Sequence, residues 1–161
     1  MARILIADAE PTSLLELTSH LTDRGHIVAT AESLKEVKEK SQWLLPHICI
    51  CDFQLDDGTT APVIGDELRR MAPATEFIVC TSRPLEFVIT LCEAVGMRGH
   101  YFKKPCDPET LLWVVEGVVC NMHLAKPNGE RSPAKGSQRL RAGEIRGEIV
   151  ATEKAGNLSA H

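Results

Sequence analysis

A set of polar residues stands just behind short apolar runs, and their types suit phosphoryl chemistry. Asp8 and Glu10 follow the run from Ile4 to Ala7, and Asp52 follows Ile48 to Cys51. Thr81 and Ser82 follow Phe77 to Cys80, and Lys103 and Lys104 follow Tyr101 and Phe102. Carboxylates gathered in one place repel unless a cation lies among them, and Mg²⁺ takes oxygen from one or two carboxylates together with phosphate and water. An aspartate in such a place can attack phosphorus and hold the phosphoryl group as an aspartyl phosphate. A cation then neutralises the equatorial oxygens, with Thr81 and Lys104 as further donors. Taken singly, each has a plainer use: Asp8 or Asp52 as a cap, Thr81 as a turn hydroxyl, Lys104 as a solvated charge.

For these residues to meet, the runs before them must lie side by side. The runs at 4–7, 27–31, 48–51, 77–80 and 101–102 are too short for helices and rich in Ile, Val or Phe, which predicts strands. Between them apolar residues recur at helical spacing: Leu14, Leu17, Leu21; Leu34, Val37, Leu44; Ile64, Leu68, Met71; Val88, Leu91, Cys92, Val95; Leu111, Val115, Val118, Met122. Boundary chemistry agrees. Ser33 with Glu36 forms a capping box, Asp107 before Pro108 marks a helix start, and Gly25 and Gly96 fall where helices end. Strands alternating with helices imply right-handed crossovers and a parallel sheet covered on both faces. The predicted fold class is α/β, a doubly wound five-stranded parallel sheet, whose reactive rim lies beyond the carboxyl ends of the strands where their order reverses.

Composition sets the outer limits. The chain has 161 residues, 43% of them hydrophobic and 25% charged, enough for one globular domain. No apolar run is long enough to cross a bilayer, and the start at Met1 carries no charged leader followed by a long apolar stretch, so a cytoplasmic protein with reduced thiols is expected. Its six cysteines include no Cys-x-x-Cys pair. Acidic residues outnumber basic ones up to Asn121 and the balance reverses from Met122, where Gly, Pro and Ser become frequent. Residues 122–161 are therefore expected to be a mostly disordered tail, with no helix-turn-helix pattern and no DNA-binding domain. The glycine signatures of dinucleotide and nucleoside triphosphate sites are absent, and no Ser or Cys nucleophile stands beside a candidate catalytic His. His20, His26, His47 and His100 are assigned no functional role, and Trp43 and Trp113 are expected to pack against the sheet or its rim.

Over residues 3–121 the motifs together resemble the receiver domain of two-component response regulators. Ile4-Leu5-Ile6-Ala7-Asp8-Ala9-Glu10-Pro11 is similar to that family's first strand and acidic cluster, and Pro46 to Leu55 to its phosphoacceptor strand. Phe77-Ile78-Val79-Cys80-Thr81-Ser82 and Tyr101-Phe102-Lys103-Lys104-Pro105 match its later motifs. The resemblance implies a flavodoxin-like fold, Asp52 as phosphoacceptor, Thr81 and Lys104 as its partners, and Tyr101 as a switch residue that rotates with Thr81. It implies Mg²⁺ held by Asp8, Asp52 and the backbone carbonyl of Gln54, a histidine kinase or phosphotransfer protein as donor, and no enzyme activity beyond self-catalysed phosphotransfer and dephosphorylation. Output would pass by protein contact through the face of the fourth helix, fifth strand and fifth helix, with a homodimer as a further possibility. The sequence departs from the family in three places. Ala9 replaces the second acid, the usual direct Mg²⁺ ligand, with Glu10 as its only nearby substitute. Asp56 and Asp57 stand where a proline stiffens the loop, which predicts a looser turn. One extra residue lies between Gly96 and Tyr101. These departures leave a second expectation open, a receiver-like interaction module that is phosphorylated poorly or not at all.

Overall fold

The computed structural model describes residues 1–124. The strands are β1 (Arg3–Ala7), β2 (Ile27–Ala31), β3 (Ile48–Asp52), β4 (Glu76–Thr81) and β5 (Gly99–Lys103), all parallel, in the order β2-β1-β3-β4-β5. The helices are α1 (Pro11–Asp23), α2 (Leu34–Leu44), α3 (Ala61–Met71), α4 (Leu85–Ala94) and α5 (Pro108–Leu124). The α/β, doubly wound fold expected from the sequence is found, and strand order reverses between β1 and β3. The tail expected beyond residue 121 falls mainly on residues 125–161, outside the described residues, and α5 itself continues to Leu124.

Successive strand residues point to opposite faces, so the continuous apolar runs feed two separate cores. Ile4, Ile6, Ile48, Ile50, Ile78 and Cys80 meet Leu14, Leu17 and Leu21 of α1 and Leu111, Val115 and Val118 of α5. Leu5, Ala7, Cys49, Cys51, Phe77 and Val79 meet α2, α3 and α4 through Val37, Ile64, Leu68, Val88 and Cys92. Each fully buried aliphatic side chain contributes about 1.5–3 kcal/mol, so this double cover holds the strand ends in register. The predicted caps are present. Ser33 Oγ accepts from the Glu36 N–H at 3.3 Å, Asp107 Oδ2 accepts from the Thr110 N–H at 2.9 Å, and Gly25 and Gly96 follow helix ends with φ of 81° and 76°. His26 and His47 use Nδ1 to accept the N–H groups of Ala2 and Arg3, at 3.1 and 3.2 Å, pinning the start of β1.

Two expectations about packing change. Trp43 and Trp113 do not pack against the sheet; they are 63% and 69% exposed. On α2 the inward stripe is Val37, Ser41 and Leu44, and on α5 it is taken by Leu111, Leu112, Val114, Val115, Val118 and Val119, which turns both indoles outward. Asp56 and Asp57 do not give a looser turn either. Asp57 Oδ1 accepts from the Thr59 N–H and its Oδ2 from the Leu34 N–H, both at 2.9 Å, so the loop after β3 is tied to the first residue of α2. The Leu34 N–H, and then Thr59, hold the Asp57 carboxyl below its ordinary pKa.

The segment between α4 and β5 tucks inward at Met97, which is buried against α3 over Gly65, where an added Cβ would lie 2.7 Å from the Met97 thioether. At the start of β5 a Cβ on Gly99 would lie 2.1 Å from the Phe77 carbonyl oxygen, so only glycine lets β5 approach β4 there.

Candidate phosphoacceptor site

Parallel register puts the candidate residues together. Ala7 pairs with Cys51 and Asp52 with Cys80, so Asp8, just past β1, lies beside Asp52 at the end of β3, and Thr81 ends β4 next in line. Lys104 follows β5, its N–H donating to the Thr81 carbonyl at 2.8 Å, and its ammonium reaches back across the sheet. Lys104 Nζ donates to Asp52 Oδ2 at 2.8 Å and to Asp8 Oδ2 at 3.1 Å. Three strand ends thus meet at one ammonium. Burial alone lowers the Lys104 pKa, but the hydrogen bonds and charges of Asp52 and Asp8 outweigh it and hold the ammonium well above its ordinary value. Asp8 is anchored a second time, since its Oδ1 accepts from the Glu10 N–H at 2.9 Å.

Lys103, the neighbouring cation, works elsewhere: its Nζ donates to the carbonyls of Ser82 and Arg83, at 2.7 and 3.1 Å, and steadies the β4–α4 loop. Thr81 is almost fully buried, and its Oγ1 accepts from the Arg83 N–H at 3.0 Å, which fixes the hydroxyl at the turn. Tyr101 points inward, 3% exposed, its hydroxyl beside the Cys92 thiol but short of hydrogen-bond geometry; burial, then Cys92, pushes the phenol up. Behind the site the Cys106 thiol donates to the Lys103 carbonyl at 3.7 Å; the neighbouring Cys106, then burial, raises the Cys80 thiol, and Cys80 in turn lowers Cys106.

The open side is a cleft of about 380 Å³ lined by Asp52, Phe53, Gln54, Leu55, Asp56, Thr81, Ser82 and Arg83. Arg83 crosses it, its Nη2 donating to Gln54 Oε1 and its guanidinium carbon lying 5.6 Å from the Phe53 ring centroid. Phe53 also meets Phe87 of α4 edge to face, with centroids 5.9 Å apart and planes at 69°. Sequence reasoning missed Arg83 and Phe53, and no periodic signal marks either one.

Among the described residues no group of three or more His, Cys, Asp or Glu side chains could hold a metal ion. Glu10 corrects the expectation that it might replace the missing acid: it caps α1 with φ −92° and ψ 100°, its side chain exposed rather than in the site. The remaining donors still fit a divalent cation of the kind that takes two carboxylates and fills its shell with water and phosphate. Asp8 and Asp52 both reach one cation already, the Lys104 ammonium. Gln54 forms a bridge with Thr60 in which the flanking residues make the hydrogen bonds, so its own carbonyl is turned away from the hairpin.

A doubly wound sheet with two acids, a threonine and a lysine at its switch point defines a phosphoacceptor switch domain. The response regulator receiver domain profile matches residues 4–116, and the chain belongs to that family. It is 31% identical over 121 residues to the protein PilH of Pseudomonas aeruginosa, covering 74% of this chain and 98% of PilH. It is 29% identical over 110 residues to the alginate biosynthesis transcriptional regulatory protein AlgB of Pseudomonas syringae pv. tomato, covering 68% of this chain but only 24% of AlgB. The chemotaxis protein CheY4 of Vibrio cholerae superposes with a TM-score of 0.66 at 26% identity, covering 73% of this chain and 98% of CheY4. Residues 4–116 are thus a receiver domain of the response regulator type. Receiver domains are signalling switches, generally not enzymes; they receive from histidine kinases or phosphotransfer proteins and generally bind Mg²⁺ at the phosphorylation site. No helix among the described residues is long and apolar enough to cross a membrane.

Proposed function

We propose that Asp52 accepts the phosphoryl group, and the observation that carries this is the single ammonium of Lys104 bridging Asp52 and Asp8 at 2.8 and 3.1 Å. With Oδ2 held by Lys104, Oδ1 is the nucleophile: it forms the new O–P bond while the donor's O–P or N–P bond breaks and its electron pair leaves with the donor. Lys104 then moves from the carboxylate to the developing phosphoryl charge, and the Thr81 hydroxyl donates to a phosphoryl oxygen. Asp8, Asp52 and the Gln54 carbonyl would hold Mg²⁺, which when bound would supply charge neutralisation. Because Ala9 offers no ligand, Mg²⁺ binds here more weakly than in a site with a second acid.

Phosphorylation pulls Thr81 toward the acceptor and moves the β4–α4 loop with it, and Tyr101 follows. The output surface is the face of α4, β5 and α5, where Phe87 and Leu91 stand 48% and 39% exposed at helical spacing. Phe87 is linked to the site through Phe53. A cytoplasmic setting goes with this reading, as does signalling through protein contact.

The test is incubation with acetyl phosphate and Mg²⁺, with Asp52→Asn alongside, read by intact mass. The wild type gains a phosphoryl adduct that hydroxylamine removes and the variant gains none; equal labelling of both overturns the assignment. A second reading, a receiver-fold interaction module that is scarcely phosphorylated, is favoured by Ala9 alone. An unlabelled wild type at high Mg²⁺ would establish it.

A further inference from the structure

Two thiols meet directly behind the phosphoacceptor site. Of the six cysteines, Cys49, Cys51 and Cys92 lie in the core under α2, α3 and α4, and Cys120 is exposed. Cys80 and Cys106 share the opposite face of the sheet: Cys80 belongs to the core under α1 and α5, and Cys106 packs against that core. Cys80 is only 5% exposed on β4. Cys106 is half-buried on the loop from β5 to α5, its Sγ donating to the Lys103 carbonyl at 3.7 Å. Far apart in the sequence, the two thiols are neighbours in the fold, each acting on the other's proton.

Their surroundings give them different parts. The thiolate is the form that attacks an oxidant. Cys80, and after it the Lys104 ammonium, lower the Cys106 thiol against the opposite pull of burial, while Cys106 and then burial raise Cys80. A solvent-reachable thiol of lowered pKa beside a buried one is the arrangement of an attacking cysteine with a resolving cysteine at hand. Their places in the chain tie them to the site. Cys80 immediately precedes Thr81, and Cys106 stands two residues past Lys104. The Lys104 N–H already donates to the Thr81 carbonyl at 2.8 Å, so the two strand ends touch at this point. Thr81 and Lys104 are also the residues whose side chains must shift when a phosphoryl group arrives.

We propose that Cys80 and Cys106 form a reversible disulfide when the chain meets a peroxide, and that this bond clamps the end of β4 to the Lys104 loop and slows phosphoryl acceptance. The clamp rests on the thiol pair alone; the slowing rests also on Asp52 being the acceptor. Cys106 sulfur attacks one peroxide oxygen, the O–O bond breaks, and the departing hydroxide takes the Cys106 proton and leaves as water. Cys80 sulfur then attacks the resulting sulfenic acid: the S–S bond forms, the S–O bond breaks, and the hydroxide leaves as a second water with the Cys80 proton. Two thiols lose two electrons and two protons, and the peroxide is reduced to two waters. Exchange with a dithiol reverses the bond.

The experiment treats the reduced full chain with hydrogen peroxide, alongside Cys106→Ser and Cys80→Ala. Remaining thiols are alkylated after denaturation and counted by intact mass, and digestion identifies the linked residues. The wild type should lose two alkylatable thiols, with the Cys80 fragment joined to the Cys106 fragment, and dithiothreitol should restore both; neither variant should form the link. Oxidised wild type should take the phosphoryl group from acetyl phosphate about tenfold more slowly than reduced, since displacing a reacting group by ~1 Å can cost about a hundredfold. Cys106→Ser should label at the reduced wild-type rate with or without peroxide, which separates the clamp from general oxidation. Amide exchange reads the clamp without any phosphorylation: the Lys104 N–H should exchange several-fold more slowly in the oxidised chain. Thiols that both stay alkylatable, or Cys106 joined to Cys120 instead, overturn the proposal, as does a Cys80–Cys106 link with unchanged exchange at Lys104. A link that leaves labelling unchanged overturns the slowing. If the reduced wild type gains no adduct on Asp52, the acceptor assignment falls and the slowing with it, while the thiol count and the exchange still decide the clamp.

Discussion

Asp52 sits between two unlike halves of one site. On one side are Asp8 and Lys104, set on strand ends, with side chains only 10% and 18% exposed. On the other are Gln54 and Arg83, on loops and open to solvent. Charges taken out of water must be paired, and a buried pair leaves little freedom to move. Exposed contacts gain little and are cheap to break. The strand-end half is suited to holding a reactive carboxylate in one geometry, and the loop half to letting donor and partner in and out.

The strand-end half should fail hardest when its spacing is altered. Gly99→Ala forces a Cβ onto the Phe77 carbonyl, 2.1 Å away, at the base of the strand that delivers Lys104. We expect a loss of about 3 kcal/mol in urea unfolding, and a variant as stable as the wild type would show that β5 can slide.

Lys104→Met comes next, with an expected loss of about 2 kcal/mol because Asp8 and Asp52 are left facing each other, and a labelling rate down roughly a hundredfold. The pH profile tells this apart from a packing defect. The Lys104 pKa is raised above its ordinary 10.5, so its share of stability is complete below that value and is lost as pH rises through the folded-state value. Above pH 10.5 the wild type should lose stability toward the variant.

On the loop half, Asp57→Asn weakens the tie to α2. Amide exchange at Leu34 and Thr59 should quicken several-fold while the unfolding midpoint hardly moves. In the wild type the same protection should persist well into acid and disappear as pH falls through the lowered Asp57 pKa, below its ordinary 3.8. Smallest is Gln54→Ala, within about 0.5 kcal/mol of the wild type in stability. A large loss there would erase the distinction between the halves.

The same division governs what the sequence discloses. Strands buried on both faces read as unbroken apolar runs, so Asp8, Asp52, Thr81 and Lys104 could be located by looking just behind Ala7, Cys51, Cys80 and Phe102. Parallel register then made them converge. The loop half had no such signature. Asp57 finds Leu34 23 residues back, and Arg83 finds Gln54 29 residues back, distances over which local patterning carries no information. Glu10 could stand in for the missing acid only if its loop turned it inward; at the start of α1 it is exposed instead. Trp113 was misjudged because α5 is apolar nearly all round, and a helix of that kind does not announce which side is buried.

The outward indoles have a practical side. The chain has two tryptophans, one on each layer of helices, and neither lines the cleft. Intrinsic fluorescence will therefore be a poor witness of what happens at Asp52 and a good one of anything that settles on α2 or α5, and replacing one indole at a time, Trp43→Phe or Trp113→Phe, identifies which flank was touched before any label is attached.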